Sequence, residues 1–230
     1  WGGAFHKKIP VYASFQSYRE RDDWTEQSIG QVASQVSAGF TRIKVKIGGR
    51  SIREDQVHID RLMQSIPSDV LVAVDANQSY DLAASREWER LFSRYSNWMW
   101  LEEPMPMERT EEYVKLRAAL SVPLAGGENL VRCPQYLPLY QQGAIDIAQP
   151  DLMHTEGMES YRTHLQMARQ FGYRVSPHSF DGGLARLYTL FAQACLPAWS
   201  KMDVPGGVGI GLEPNWEIIN AMRWDGSVYA

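Results

Sequence analysis

The chain has 230 residues, 44 % of them hydrophobic and 22 % charged, with a formal net charge of −4. This size suits one domain, and the balance is that of a globular chain rather than a disordered or fibrous one. Scattered Lys and Arg under a net negative charge exclude a nucleic-acid partner, and the longest apolar runs are too short to span a bilayer. Cys133 and Cys195 have no metal-type spacing and read as packing residues. No signal-type leader opens the chain, so the expected location is the cytoplasm. The opening Trp1-Gly-Gly-Ala is not an initiation sequence. Residues 1–230 therefore read as one domain and as a fragment truncated at both ends.

Short apolar runs predict strands near Val11–Ser14, Ile43–Ile47, Leu71–Asp75, Trp98–Glu102, Leu124–Ala125, Ile145–Ala148 and Arg174–Ser176. Apolar residues on both sides of each run suit parallel strands covered by helices. Helical patterns alternate with them. Thr25–Ala38 has one stripe of Ile29, Val32, Ala33 and Val36, stopped at Gly39. Ser51-Ile-Arg-Glu54 predicts a capping box opening a helix with Val57, Leu62 and Ile66 inward. Ala83–Tyr95, Thr110–Leu120, Glu159–Phe171 and Leu184–Ala194 are expected to be helical. The alternation predicts one α/β domain. An eighth strand is expected at either Lys201–Val204 or Val208–Glu213.

Chemistry-bearing residues recur at or just past the strand ends: Lys46, Asp75, Glu102, Glu128, Asp151 and His178. The steps between them are 29, 27, 26, 23 and 27 residues, about one strand, one helix and two loops, the repeat of a TIM-type βα barrel. In such a barrel the strand ends gather at one face.

Asp75, Glu102 and Glu128 end three successive units. Acids at strand ends can simply cap the next helix, but three packed together repel unless a cation lies between them. Three hard oxygen donors favour Mg²⁺ over zinc. Lys44 and Lys46 are two apart on one strand and share a face. A lysine buried beside another lysine and a divalent cation has its charged form disfavoured and can act as a base. His178 and Asp151 form a pair suited to proton transfer, with the carboxylate fixing the tautomer and raising the imidazole pKa. His6, His58 and His164 lack such a context and receive no role.

The motifs KVKIGG, VDANQS, WLEEP, GGEN, QPD and SPHS, in this order and spacing, resemble those of the enolase superfamily, specifically its mandelate racemase subgroup. The resemblance runs from about Lys44 to His178. It implies a (β/α)7β barrel and one Mg²⁺ held by Asp75, Glu102 and Glu128. It assigns Lys46 as a base with Lys44 as helper, the His178–Asp151 dyad as the other base, and Asn77 as a substrate contact. It further implies abstraction of the proton α to a carboxylate, giving an enediolate. An acidic substrate contact is expected after the eighth strand, where Glu213 and Asp203 compete. His154-Thr-Glu156-Gly157 departs from the basic residue and two glycines of many relatives. The α+β cap that precedes the barrel in relatives is absent here, so this piece alone is expected to be weakly active or inactive.

The resemblance makes a lyase that dehydrates an acid sugar to a 2-keto-3-deoxy acid the first expectation. An isomerase, racemising or epimerising a 2-hydroxy acid, is the second. The expected partner is a small carboxylate substrate, with no nucleic acid and no membrane, and the expected assembly is a homo-oligomer. A phosphosugar enzyme would use the glycines at 182–183 and 206–207, but three bare carboxylates would repel a phosphate. A catalytically silent barrel would not need all six motif residues.

Overall fold

The structure is a computed structural model that describes residues 3–6, 8–18, 23–180 and 183–195. Seven parallel strands pair in chain order: β1 (Ala13–Phe15), β2 (Arg42–Lys46), β3 (Leu71–Asp75), β4 (Trp98–Glu102), β5 (Leu124–Gly126), β6 (Ile147–Ala148) and β7 (Arg174–Val175). Helices lie between them: α1 (Trp24–Ser37), α2 (Ile52–Ser65), α3 (Leu82–Arg86), α4 (Glu89–Phe92), α5 (Thr110–Arg117), α6 (Cys133–Gln142) and α7 (Met158–Gln170), with α8 (Gly183–Ala194) after β7. This is the α/β strand–helix repeat expected from the spacing. Both candidate eighth strands, with Asp203 and Glu213, fall outside the described residues. No helix among the described residues is long and apolar enough to cross a membrane.

The chain divides into two compact units, one of residues 10–189 and the other of residues 1–9 with 190–230. In the smaller unit the amides of Phe5 and His6 donate to the Ala194 carbonyl at 2.8 and 3.2 Å. In the larger unit the two faces of the sheet differ. Ile43, Val45, Val72, Val74, Leu101 and Leu124 join the core beneath the helices. The alternate residues Ala73, Trp100, Ala125 and Ile147 form a second buried cluster with Tyr12 against it. This is the two-residue alternation of a strand buried on both sides.

The helix boundaries record where local signals were outweighed. Ser51 does open α2 with a capping box, its hydroxyl accepting from the Glu54 amide while the Glu54 carboxylate accepts from the Ser51 amide. The inward stripe of α2 is nevertheless Asp55, His58, Ile59, Leu62 and Met63, with Ile66 following. Val57, expected inward, is 54 % exposed. Polar Asp55 and His58 occupy the inner face and shift its phase.

The helix expected over Ala83–Tyr95 is broken into α3 and α4. Three-residue turns, Glu87 amide to Ala84 carbonyl and Leu91 amide to Trp88 carbonyl, tighten the chain at the break. There Trp88 is fully buried and stacks on Phe92.

Helix α6, which contains Pro134 and Pro138, had no counterpart among the expected elements. Pro134 sits in the first turn, where its missing N–H costs nothing. The single bond lost at Pro138 is offset by burial of Tyr136, Leu139 and Tyr140.

Candidate active site

Strand register sets the first row of the site. Lys46 pairs with Asp75 and Asp75 with Glu102, while one step lower Lys44 pairs with Ala73 and Ala73 with Trp100. Partners across a ladder share a face, so the two lysines and two acids converge above Ala73, whose small side chain leaves room. Glu128 follows β5 through Gly127. A Cβ on Gly127, at φ +110°, would lie 2.5 Å from the Tyr136 hydroxyl, so the turn that delivers Glu128 requires glycine. Asp151 and His178 lie past β6 and β7 and form an isolated parallel bridge.

Asp75, Glu102 and Glu128 are buried, and one oxygen from each lies within 4.8 Å of the others. The Lys44 ammonium bridges Asp75 Oδ2, at 2.8 Å, and Glu102 Oε1. Lys46 Nζ donates to Asp75 Oδ2 and to Asn77 Oδ1, both at 2.6 Å. Asn77 Nδ2 in turn donates to Glu128 Oε1 at 3.2 Å. Glu128 Oε2 lies 3.0 Å from His178 Nε2 without the alignment of a hydrogen bond, and among the described residues it has no other partner. His178 Nδ1 meets Asp151 Oδ2 at 2.6 Å, and Asp151 Oδ1 accepts from the Met153 amide at 2.7 Å. Lys46, Asn77, Glu128, His178 and Asp151 thus form one continuous polar line, with the lysine at one end and the histidine dyad at the other.

The electrostatics follow from burial and neighbouring charge. Burial raises the Glu102 pKa, and the nearby Asp75 charge adds to this against the opposing Lys44. For Asp75, burial is outweighed by Lys44 and Lys46, which hold it below the usual carboxylate range. Burial would lower the Lys44 pKa, yet Glu102, Tyr12 and Asp75 lift it well above the ordinary lysine value. Two carboxylates within reach outweigh the desolvation of Lys44. Burial lowers the His178 pKa, but the Asp151 hydrogen bond and the Glu128 charge leave it raised. Asp151 is held low by that bond and by the Met153 amide, against burial. The ionised Asp151 accepts from Nδ1–H, leaving Nε2 as the nitrogen that exchanges a proton.

The donor set fits a hard divalent cation. It offers three buried carboxylates with an oxygen of each close to the others, and among the described residues Glu128 Oε2 has no hydrogen-bond donor. Oxygen donors of this kind suit Mg²⁺.

Trp100, Gln149 and Glu103 were not singled out in the sequence. Trp100 Nε1 and Gln149 Nε2 each donate to Glu102 Oε2 at 2.8 Å. Trp100 lies two residues before Glu102 on one strand, a same-face spacing that was legible. Buried Glu103, at φ 36°, accepts from Gln78 and from the Gly127 amide and so ties three strand-end loops together. His154 Nδ1 donates to the Glu128 carbonyl at 2.7 Å, and its ring stacks 6.4 Å from that of His178. His58 and His164, given no role, are buried on helices away from this row, hydrogen-bonded to Ser28 and to the Ser160 carbonyl respectively. Cys133 packs 3.2 Å from His164.

Comparison with known proteins places this arrangement. The model of the family "Enolase C-terminal domain-like" matches residues 28–204. The chain is 31 % identical to the arabinonate dehydratase of Saccharolobus solfataricus, over 88 % of its own length and 54 % of the relative's. It is 29 % identical to the D-galactarolactone cycloisomerase of Agrobacterium fabrum, over 96 % and 67 % respectively. Among solved structures it is similar to the L-talarate/galactarate dehydratase from Salmonella typhimurium. The TM-score is 0.76 and the identity 25 %, over 85 % of this chain and 48 % of that one. The chain thus spans about half to two thirds of the lengths of these relatives. Its parallel α/β sheet is that of the barrel domains of these relatives. By the family match and the shared fold together, this chain belongs to the enolase superfamily, as an enolase C-terminal domain-like protein of the mandelate racemase type.

Proposed function

We propose that the protein is an enzyme that abstracts the proton α to the carboxylate of an acid sugar and dehydrates it to a 2-keto-3-deoxy acid. The observation that supports this reading most directly is the line from Lys46 through Asn77 and Glu128 to His178 and Asp151. It sets two proton-carrying groups on either side of a cluster of carboxylates. Asp75, Glu102 and Glu128 would hold Mg²⁺. When bound, the cation supplies the positive charge that the two carboxylate oxygens need as the enediolate forms.

The chain's own residues perform the remaining steps. Lys46 removes the α-proton, and Lys44 adds a second ammonium beside the developing charge. Asn77 orients the substrate between the bases. His178, protonated on Nε2 and held in that tautomer by Asp151, gives its proton to the departing β-hydroxyl, which leaves as water. Asp203 and Glu213 remain the proposed acidic contacts to the substrate. Curated relatives of this chain carry names of acid-sugar dehydratases and of a cycloisomerase, and this is the support for the substrate class.

A racemase or epimerase is the second reading, favoured by the same pair of bases: one removes a proton and the other returns it to the opposite face. Incubating the protein, at its full natural length, with a panel of mono- and diacid sugars in D₂O separates the two. A 2-keto-3-deoxy product supports dehydration. Exchange at the α-carbon with every hydroxyl retained supports isomerisation. Neither product nor exchange, with Mg²⁺ bound, would overturn the reading.

A further inference from the structure

We propose that Trp100 and Gln149 are positioning residues that hold Glu102 to a single ligating oxygen and thereby set the site's preference for Mg²⁺ over Ca²⁺. The inference rests on the reading of Asp75, Glu102 and Glu128 as a cation site.

The two oxygens of Glu102 are not equivalent. Oε2 accepts two hydrogen bonds of 2.8 Å, from the Trp100 indole and from the Gln149 amide. Oε1 is the oxygen that reaches the Lys44 ammonium. Hydrogen bonds from neutral donors to a carboxylate are charge-assisted and strong, so both lone pairs of Oε2 are committed, while Oε1, which among the described residues accepts from Lys44 alone, keeps one lone pair to ligate.

Both donors are held in place. Trp100 is 7 % exposed, and Tyr12 meets it edge-on at 5.5 Å between ring centroids. Lys44 in turn lies 5.7 Å over the Tyr12 ring. Gln149 is fully buried, and its Oε1 has no hydrogen-bond partner among the described residues. Burying an amide oxygen unpartnered is unfavourable; here it accompanies the orientation in which the amide N–H faces Glu102. Both residues lie in the sequence motifs, and of the three acids the side-chain N–H of each donates to Glu102.

The consequence concerns ion size. Ca²⁺ takes six to eight oxygens and accepts a carboxylate through both of its atoms, whereas Mg²⁺ demands six ligands at shorter, more uniform distances. A Glu102 that offers one oxygen withholds the extra ligand that Ca²⁺ would use. Freeing Oε2 would restore it.

The test titrates Mg²⁺ and Ca²⁺ separately into the wild-type chain, Trp100→Phe and Gln149→Leu by calorimetry, with circular dichroism to verify folding. Partners of this kind typically change metal affinity about 10–100-fold. Mg²⁺ affinity is expected to fall by that factor in each variant while Ca²⁺ affinity falls far less, shifting the Mg²⁺/Ca²⁺ ratio about tenfold toward Ca²⁺. A general loosening of the fold would weaken both ions in proportion. An unchanged ratio, with or without loss of affinity, overturns the proposal while leaving the cation site standing. A wild-type chain that binds neither ion overturns both. Should Trp100→Phe fail to fold, Gln149→Leu decides the matter by the same ratio.

Discussion

Strands β2, β3 and β4 are five residues long, and Lys44, Lys46, Asp75 and Glu102 belong to their paired ladders. Strands β6 and β7 are two residues long, and Asp151 and His178 lie beyond them, joined by one bridge and one side-chain contact. The first half of the site is thus positioned by backbone pairing along whole strands. The second is positioned by a carboxylate gripping an imidazole. A cation site needs several oxygens fixed at once; the ladder fixes Asp75 and Glu102 side by side, and the turn at Gly127 brings Glu128 to them. A proton carrier needs one ring held in one tautomer, which a single strong hydrogen bond provides.

The comparison can be broken most severely in the ladder half. Glu102→Gln removes a charge and a proposed ligand, and Mg²⁺ affinity by calorimetry should fall by more than the roughly 100-fold that loss of an outer partner can cost. Near-normal binding would remove the cation from that half altogether.

In the histidine half, His178→Asn should reduce turnover about 10²–10⁴-fold and leave Mg²⁺ affinity within a few-fold. Should metal binding collapse with it, the two halves are not separable.

A smaller effect tests the loops above the ladder. Asp55, buried on α2, accepts from Tyr18, Tyr80 and the Gly48 amide, and so gathers three strand-end loops at one carboxylate. Asp55→Ala leaves those donors without their acceptor. Thermal or urea unfolding should show a loss of about 1–3 kcal/mol.

The smallest effect is a pH dependence behind the same half. Burial lowers the His58 pKa from its ordinary 6.5 to about 4, so the unfolded chain binds this proton more readily than the folded one. Stability is therefore lost as pH falls through that window, by about 1 kcal/mol between pH 7 and 5.5. His58→Gln should flatten that part of the unfolding midpoint against pH; an unchanged slope would assign it to other groups.

Much of this was legible in the chain itself. Strands β3 and β4 lie where the apolar runs placed them. Asp75, Glu102 and Glu128 meet as their spacing suggested, because a strand–helix repeat returns the chain to one face at regular intervals. Periodicity was less informative wherever burial outweighed local preference. Helix α6 forms through two prolines because Tyr136, Leu139 and Tyr140 are buried. Val57 faces out because Asp55 and His58 face in.

The sequence by itself determined the family, the α/β repeat and the order of the reactive residues, since these depend on spacing and alternation along one chain. Only the tertiary structure decided the polar line from Lys46 to Asp151, the raised Lys44 pKa and the two donors on Glu102. Apart from the Trp100–Glu102 pair, two residues apart on one strand, these depend on contacts between residues 27 to 58 positions apart, and on desolvation that exists only once the sheet has assembled.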